Sequence, residues 1–149
     1  MATQWTAGLI AGSVLPATTL NTIGAAWESY TPTLTQSVTV TKTISVAKYC
    51  QIQKTITCDI SLTATSAGTA ANEVAVGLPI ATAATTNRVI GTGFIYDASS
   101  GIVYNVTAYN ATTTTAKFFY QAAFGWGFSP NIALANGDQI RMLFTYEAA

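Results

Sequence analysis

The sequence predicts an all-β fold: an antiparallel β-sandwich of about eight strands with jelly-roll-like connectivity, led by an extended or partly helical N-terminal arm. Three observations carry this. Apolar and polar residues alternate with period two through most segments after Gln36, the pattern of half-buried strands. The segments are short and bounded by Gly, Pro, Asn, Asp and Ser, as in sandwiches rather than parallel sheets. Charged residues make up only 8% of the chain, about a third of the roughly 25% usual in soluble domains. Thr, Ser, Asn and Gln must therefore cover the wet faces, and threonine, β-branched and hydrogen-bonding, suits an exposed strand.

The chain has 149 residues, enough for one domain with a real core. Residues 1–35 read as arm and joint, and residues 36–149 as the body. From Met1 to Ala26 there is no charged side chain. Leu9, Ile10 and Leu15 follow neither helical nor strand period, and Gly8, Gly12 and Pro16 interrupt regular structure. A short helix over 18–27 is expected, capped by Thr18 or Thr19, with Leu20, Ile23 and Trp27 on one face. Gly24 weakens it. An apolar arm of this kind is expected to dock on a neighbouring subunit or another protein. The joint is Trp27-Glu-Ser-Tyr-Thr-Pro-Thr-Leu-Thr35. Pro32 fixes its own φ and pushes Thr31 toward extended geometry, while Trp27 and Tyr30 carry enough apolar area to pin the crossing.

The body follows in order. Val38, Val40 and Ile44 alternate with threonines, and Tyr49–Gln53 reads as the next strand. Thr55–Thr65 is the most regular: Ile56, Cys58, Ile60, Leu62 and Ala64 share one face against Thr, Asp and Ser on the other. Glu73–Leu78 is short and ended by Pro79. Val89–Tyr96 contains Gly91 and Gly93, which mark a bulge or a close backbone approach. Asp97-Ala-Ser-Ser-Gly101 has hairpin-loop chemistry, leading into 102–109 and, after a turn, 116–121. Phe124-Gly-Trp-Gly-Phe128 is an aromatic, glycine-rich loop. Asn136-Gly137 supplies a tight turn before the closing strand 139–146, where Leu143 on the polar side predicts a second face that is also partly covered.

Few functional classes survive the composition. Six basic and six acidic residues cancel and are scattered, so no cluster stands ready for nucleic-acid phosphates. There is no secretory signal pattern and no apolar run near the roughly 18 residues of a membrane span, which predicts folding in a cytoplasm and no membrane partner. Histidine is absent, removing the commonest general base and transition-metal ligand. Cys50 and Cys58 flank a hairpin around Gln53-Lys54. A cross-strand disulfide is one reading; two reduced cysteines in buried strand positions is the stronger one. The acids Asp59, Glu73, Asp97 and Asp138 form no paired motif, and Asp in turns usually bonds its own backbone. No catalytic, cofactor-binding or metal-ligating residues are assigned. For Phe124, Trp126 and Phe128 two uses stand: a stacking platform for sugars, or aromatics folded over the end of the body or into a subunit interface, the second favoured.

The segments Trp5-Thr-Ala-Gly8, Val14-Leu-Pro-Ala-Thr-Thr-Leu-Asn-Thr-Ile-Gly-Ala-Ala-Trp27, Tyr30-Thr-Pro-Thr-Leu-Thr35, Gly91-Thr-Gly-Phe-Ile-Tyr-Asp97 and Leu143-Phe-Thr-Tyr-Glu-Ala-Ala149 together resemble small β-rich virion structural proteins of tailed bacteriophages, especially of actinobacterial hosts. Such proteins are described as minor tail proteins, head fibres or capsid decoration proteins. The resemblance implies a non-enzymatic homotrimer in the virion, assembled in the host cytoplasm, with major capsid protein or tail proteins as partners. The short arm and lack of a shaft-like repeat favour a decoration or head-fibre protein. The alternative is a minor tail or tail-tip module that binds a receptor glycan; a hydrolase of cell-wall polymer ranks far lower. Expected assembly residues are Trp5, Leu9, Ile10, Leu15, Leu20, Ile23, Trp27, Tyr30 and Leu143.

Overall fold

A computed structural model of the chain describes residues 26–84, 87–121 and 124–149. The expectations for Trp5, Leu9, Ile10, Leu15, Leu20 and Ile23, and nearly all of the helix over 18–27, lie outside the described residues. The strands are β1 (Glu28–Ser29), β2 (Leu34–Gln36), β3 (Val38–Thr39), β4 (Lys42–Ile52), β5 (Thr55–Ala64), β6 (Ala75–Gly77), β7 (Val89–Asp97), β8 (Ile102–Asn110), β9 (Thr115–Tyr120), β10 (Phe124–Gly125) and β11 (Gln139–Glu147). Among the described residues there is no helix.

The all-β antiparallel body is therefore present. Its strands form one hydrogen-bonded sheet in the order β1-β4-β5-β11-β7-β8-β9-β6-β2-β3, with β10 beside β9. This differs from two separately paired sheets in a jelly roll. The sheet curls instead, and both ends contribute to one core: Leu34 and Val76 from one end, Ile56 and Phe144 from the other. Strand twist and two bulges, at Ile44/Val46 and Val89/Gly91, supply the bending. The edge strands β1 and β3 have two residues each, too short to template pairing with another chain.

Alternation decides which side is buried. Ile56, Cys58, Ile60, Leu62 and Ala64 all point into the core, as do Ile140, Met142, Phe144 and Tyr146 opposite them. Each large apolar side chain removed from water contributes roughly 1.5–3 kcal/mol. Gly91 and Gly93 show both expected features, since the bulge falls beside Gly91 and a Cβ on either would overlap the β11 backbone.

The joint is built into the sheet rather than hung from it. β1 pairs with β4 and β2 with β6. Tyr30 packs on the core, with its hydroxyl 3.2 Å from Cys58 Sγ, whereas Trp27 is half-exposed with Lys48 Nζ 4.8 Å above its ring. The strand expected from Val38 to Ile44 is broken. Ser37, at φ 65°, turns the chain sharply, so β3 pairs back on β2 while Val38 and Ile44 are exposed and Val40 is buried.

The cysteines are free. Cys58 pairs with Tyr49 and Cys50 with Thr57, so neighbouring register positions send the thiols to opposite faces of the sheet. Cys58 is buried as expected; Cys50 is only partly buried on the outer face.

Candidate functional site

The outer surface of β2, β6 and β9 carries an open cavity of about 540 Å³. Its floor is one cross-strand row, Thr35 beside Ala75 beside Lys117. The small side chains of the first two give it depth. Ser37, the turn at Ala71, Asn72 and Glu73, and the neighbouring Gly125 and Phe128 complete the lining.

The walls are held by a buried latch. Gln36 is fully buried; its Nε2 donates to the carbonyls of Asn72 (2.9 Å) and Ile132 (2.7 Å), and its Oε1 accepts from Leu134 N (2.7 Å). One side chain of β2 thus ties the Asn72 turn of the cavity wall to the 132–134 segment. Ser37 and Ala71 have φ of 65° and 60°, a left-handed region that costs a non-glycine residue energy and persists only where the surroundings hold it.

Glu73 is the single carboxylate in the lining. Its Oε2 lies 2.7 Å from Lys117 Nζ and its Oε1 accepts from Tyr109 OH at 3.1 Å. Gly125 makes this possible, because a Cβ there would overlap the Glu73 carboxylate. Tyr109 in turn stacks on Phe119, centroids 4.0 Å apart. Burial, and then the Glu73 charge beside it, pushes the Tyr109 hydroxyl up to about 12. Both partners of the ion pair are partly exposed, so it contributes little stability. Its consequence is positional: it presents ammonium protons and carboxylate lone pairs as an electrically neutral pair.

Of the aromatic loop, Trp126 is fully buried, edge-on to Tyr104 at 5.7 Å, with its Nε1 unpartnered among the described residues. That is the folded-back use expected of the loop. Phe128 does the opposite and is 51% exposed on the cavity rim; Phe124 is described by its backbone alone. Sequence reasoning weighed Glu73 only as an unpaired acid and missed Gln36 and Lys117, because register alone brings these residues to one place. The one available signal was a pair of opposite charges in a chain with six of each.

Leu143 stands apart, in the middle of the convex face. It belongs to an outward row running Lys48, Asp59, Leu143, Thr92, Thr107 and Phe119. It is 53% exposed, so the cover expected over this face is not supplied by the described residues. In the adjacent row the Arg141 guanidinium lies 5.6 Å from the centre of the Phe94 ring.

Two of the acids, Asp97 and Asp138, behave as turn residues. Asp97 Oδ1 accepts from the backbone of Ser99 and Ser100 and from the Ser99 hydroxyl. Burial pushes its carboxyl up, but these bonds together hold it below the usual range. Asp138 receives Ala98 N and Ala135 N, yet burial, with the Asp97 charge nearby, leaves it raised. No group of three or more potential metal ligands occurs among the described residues. Comparison with family models, with curated proteins and with solved structures finds no match for this chain.

Proposed function

We propose that this chain is a structural protein of a tailed-bacteriophage virion, a capsid decoration or head-fibre protein that assembles as a homotrimer and attaches through its N-terminal arm. The role is non-enzymatic, asks for no cofactor, and has the major capsid protein as its main partner. The observation that carries the reading is the convex face. Leu143 and Val103 are each 53% exposed there, in a body with few charges, and an exposed apolar area of that kind usually marks an interface. The sequence resemblance supplies the virion setting and the number of copies. The test is to delete residues 2–26. The expected product is a folded β-body that no longer joins particles, and normal incorporation of the truncated chain would refute attachment through the arm.

A second reading is favoured by the half-exposed Phe128 over its cavity: a minor tail or tail-tip protein that binds a host glycan. A particle density map separates the two. Density on the head lattice supports the first, and density at the tail tip supports the second.

A further inference from the structure

We propose that Asn136 is a site of spontaneous covalent modification controlled by the fold: its side chain cyclises with the Gly137 nitrogen, and the hydrogen bond from that nitrogen to Ala64 holds the reaction back. This inference is independent of the virion reading. The chemistry needs only water and the Asn-Gly pair itself. The Gly137 nitrogen bonds to Asn136 Cγ, the Cγ–Nδ2 bond breaks, and the Gly137 N–H proton ends on the departing ammonia, leaving a succinimide. Water then opens either ring carbonyl. Attack at Cγ restores the chain as aspartate. Attack at the backbone carbonyl leaves isoaspartate, whose chain runs through Cβ and Cγ and is longer by a methylene.

Asn136 alone among the asparagines is followed by glycine; elsewhere a side chain follows and crowds the attacking nitrogen. Its own side chain is exposed and has no hydrogen-bond partner among the described residues, so the amide is free to react. The nitrogen is not. Gly137 N donates to Ala64 O at 2.9 Å, and Ala64 N donates to Asp138 O at 2.8 Å. Asp138 N closes the turn on Ala135 O at 3.2 Å, and the Asp138 carboxylate accepts from Ala135 N and Ala98 N. A bonded peptide N–H must be freed before it gives up its proton, so conversion requires local opening of this end of the sheet. The same bonds make the product costly to the fold. They sit just ahead of the Gln139–Thr63 pair where the β5–β11 ladder starts. An added methylene in the turn alters the spacing that sets the register of β11.

The test is to age the purified full-length chain in mildly alkaline buffer, folded and in denaturant, and to follow Asn136 by peptide mapping with mass spectrometry. Conversion is expected in both states, with the folded chain slower by at least about tenfold. Hydrogen exchange of the Gly137 amide gives a second measure, because the same opening frees the same N–H. Its protection should match the slowing of conversion within about threefold. Folded and unfolded chains converting at one rate would refute the proposal, as would a Gly137 amide that exchanges freely while Asn136 stays intact. Asp138→Ala removes two bonds from the turn and should speed conversion in the folded chain without changing the rate in denaturant. If that variant does not fold, the two measurements on the parent chain still decide. The aspartyl and isoaspartyl products carry the same new charge, so a difference between them reports the backbone. The isoaspartyl chain should melt at the lower temperature, and equal melting would overturn the effect on register.

Discussion

Gln36 concentrates more buried polar bonding than any other residue around the cavity, with three bonds to three separate backbone groups. Gln36→Leu has similar bulk but leaves the Leu134 N–H and the Asn72 and Ile132 carbonyls without it. Each stranded group costs about 1–3 kcal/mol, so denaturant melting should show a loss of about 3 kcal/mol. A change below about 1 kcal/mol would mean the segments hold themselves. Cys58 allows a pH prediction. Burial first, with smaller contributions from Asp59 and Cys50, pushes its thiol from the ordinary 9.0 up to about 11, against a lowering hydrogen bond with Tyr30. A raised folded-state value gives stability that is complete below the unfolded value and lost as pH rises through the folded one. The melting temperature should therefore fall between pH 9 and about 11, and fall less over that window in Cys58→Ala. At neutral pH a maleimide should label the partly buried Cys50 and spare Cys58 until the chain unfolds; equal labelling of both would contradict the burial.

β7 and β11 show how one element restricts its neighbour. Gly91 and Gly93 face Phe144 and Met142 across the ladder, on the core side, where a Cβ would meet the Leu143 and Arg141 carbonyls. Gly93→Ala should cost about 2 kcal/mol, the usual penalty of overpacking, because backbone rather than a flexible side chain must move. Thr92→Val, between the two glycines but outward-facing, should change stability by no more than about 0.5 kcal/mol. Denaturation of the pair checks this, and equal effects would show that the close approach is not restrictive. The β4–β5 hairpin needs no such constraint, since a bulge at Ile44/Val46 absorbs its bend.

At the scale of the molecule, a curled sheet has one buried side and one open side, and the open side is not evenly polar. Leu143 sits near the middle of it, between Asp59 and Thr92 in the ladder. The proposed trimer should use apolar and Thr/Asn contacts, because few charges are available, so its assembly should change little with ionic strength. Sedimentation at micromolar concentration should give the same trimer in low and high salt, and Leu143→Asp should give a folded monomer with an unchanged far-UV spectrum. A parent chain that is monomeric, or a trimer that dissociates as salt rises, would refute the interface.

Period-two alternation alone determined that the body is antiparallel β, which strand is most regular and which of its faces is buried. Thr55–Ala64 needed no other information, because the side-chain period of a strand is a local property. The turns at Asp97–Gly101 and Asn136-Gly137 were legible for the same reason: Asp97 bonds its own loop, and Gly137 takes a φ of 99°. Other features depended on partners distant in the chain. Whether the strands split into two sheets or curl as one depends on β11 inserting between β5 and β7 and on β6 joining β9 to β2. The sequence placed Cys50 and Cys58 on one hairpin, but the register sent them to opposite faces. It marked the 124–128 loop as aromatic, but only packing decided that Trp126 goes into the core and Phe128 onto a cavity rim. Glu73, Lys117 and Tyr109 meet through the same long-range pairing, and no local pattern encodes a contact between residues so far apart in the chain.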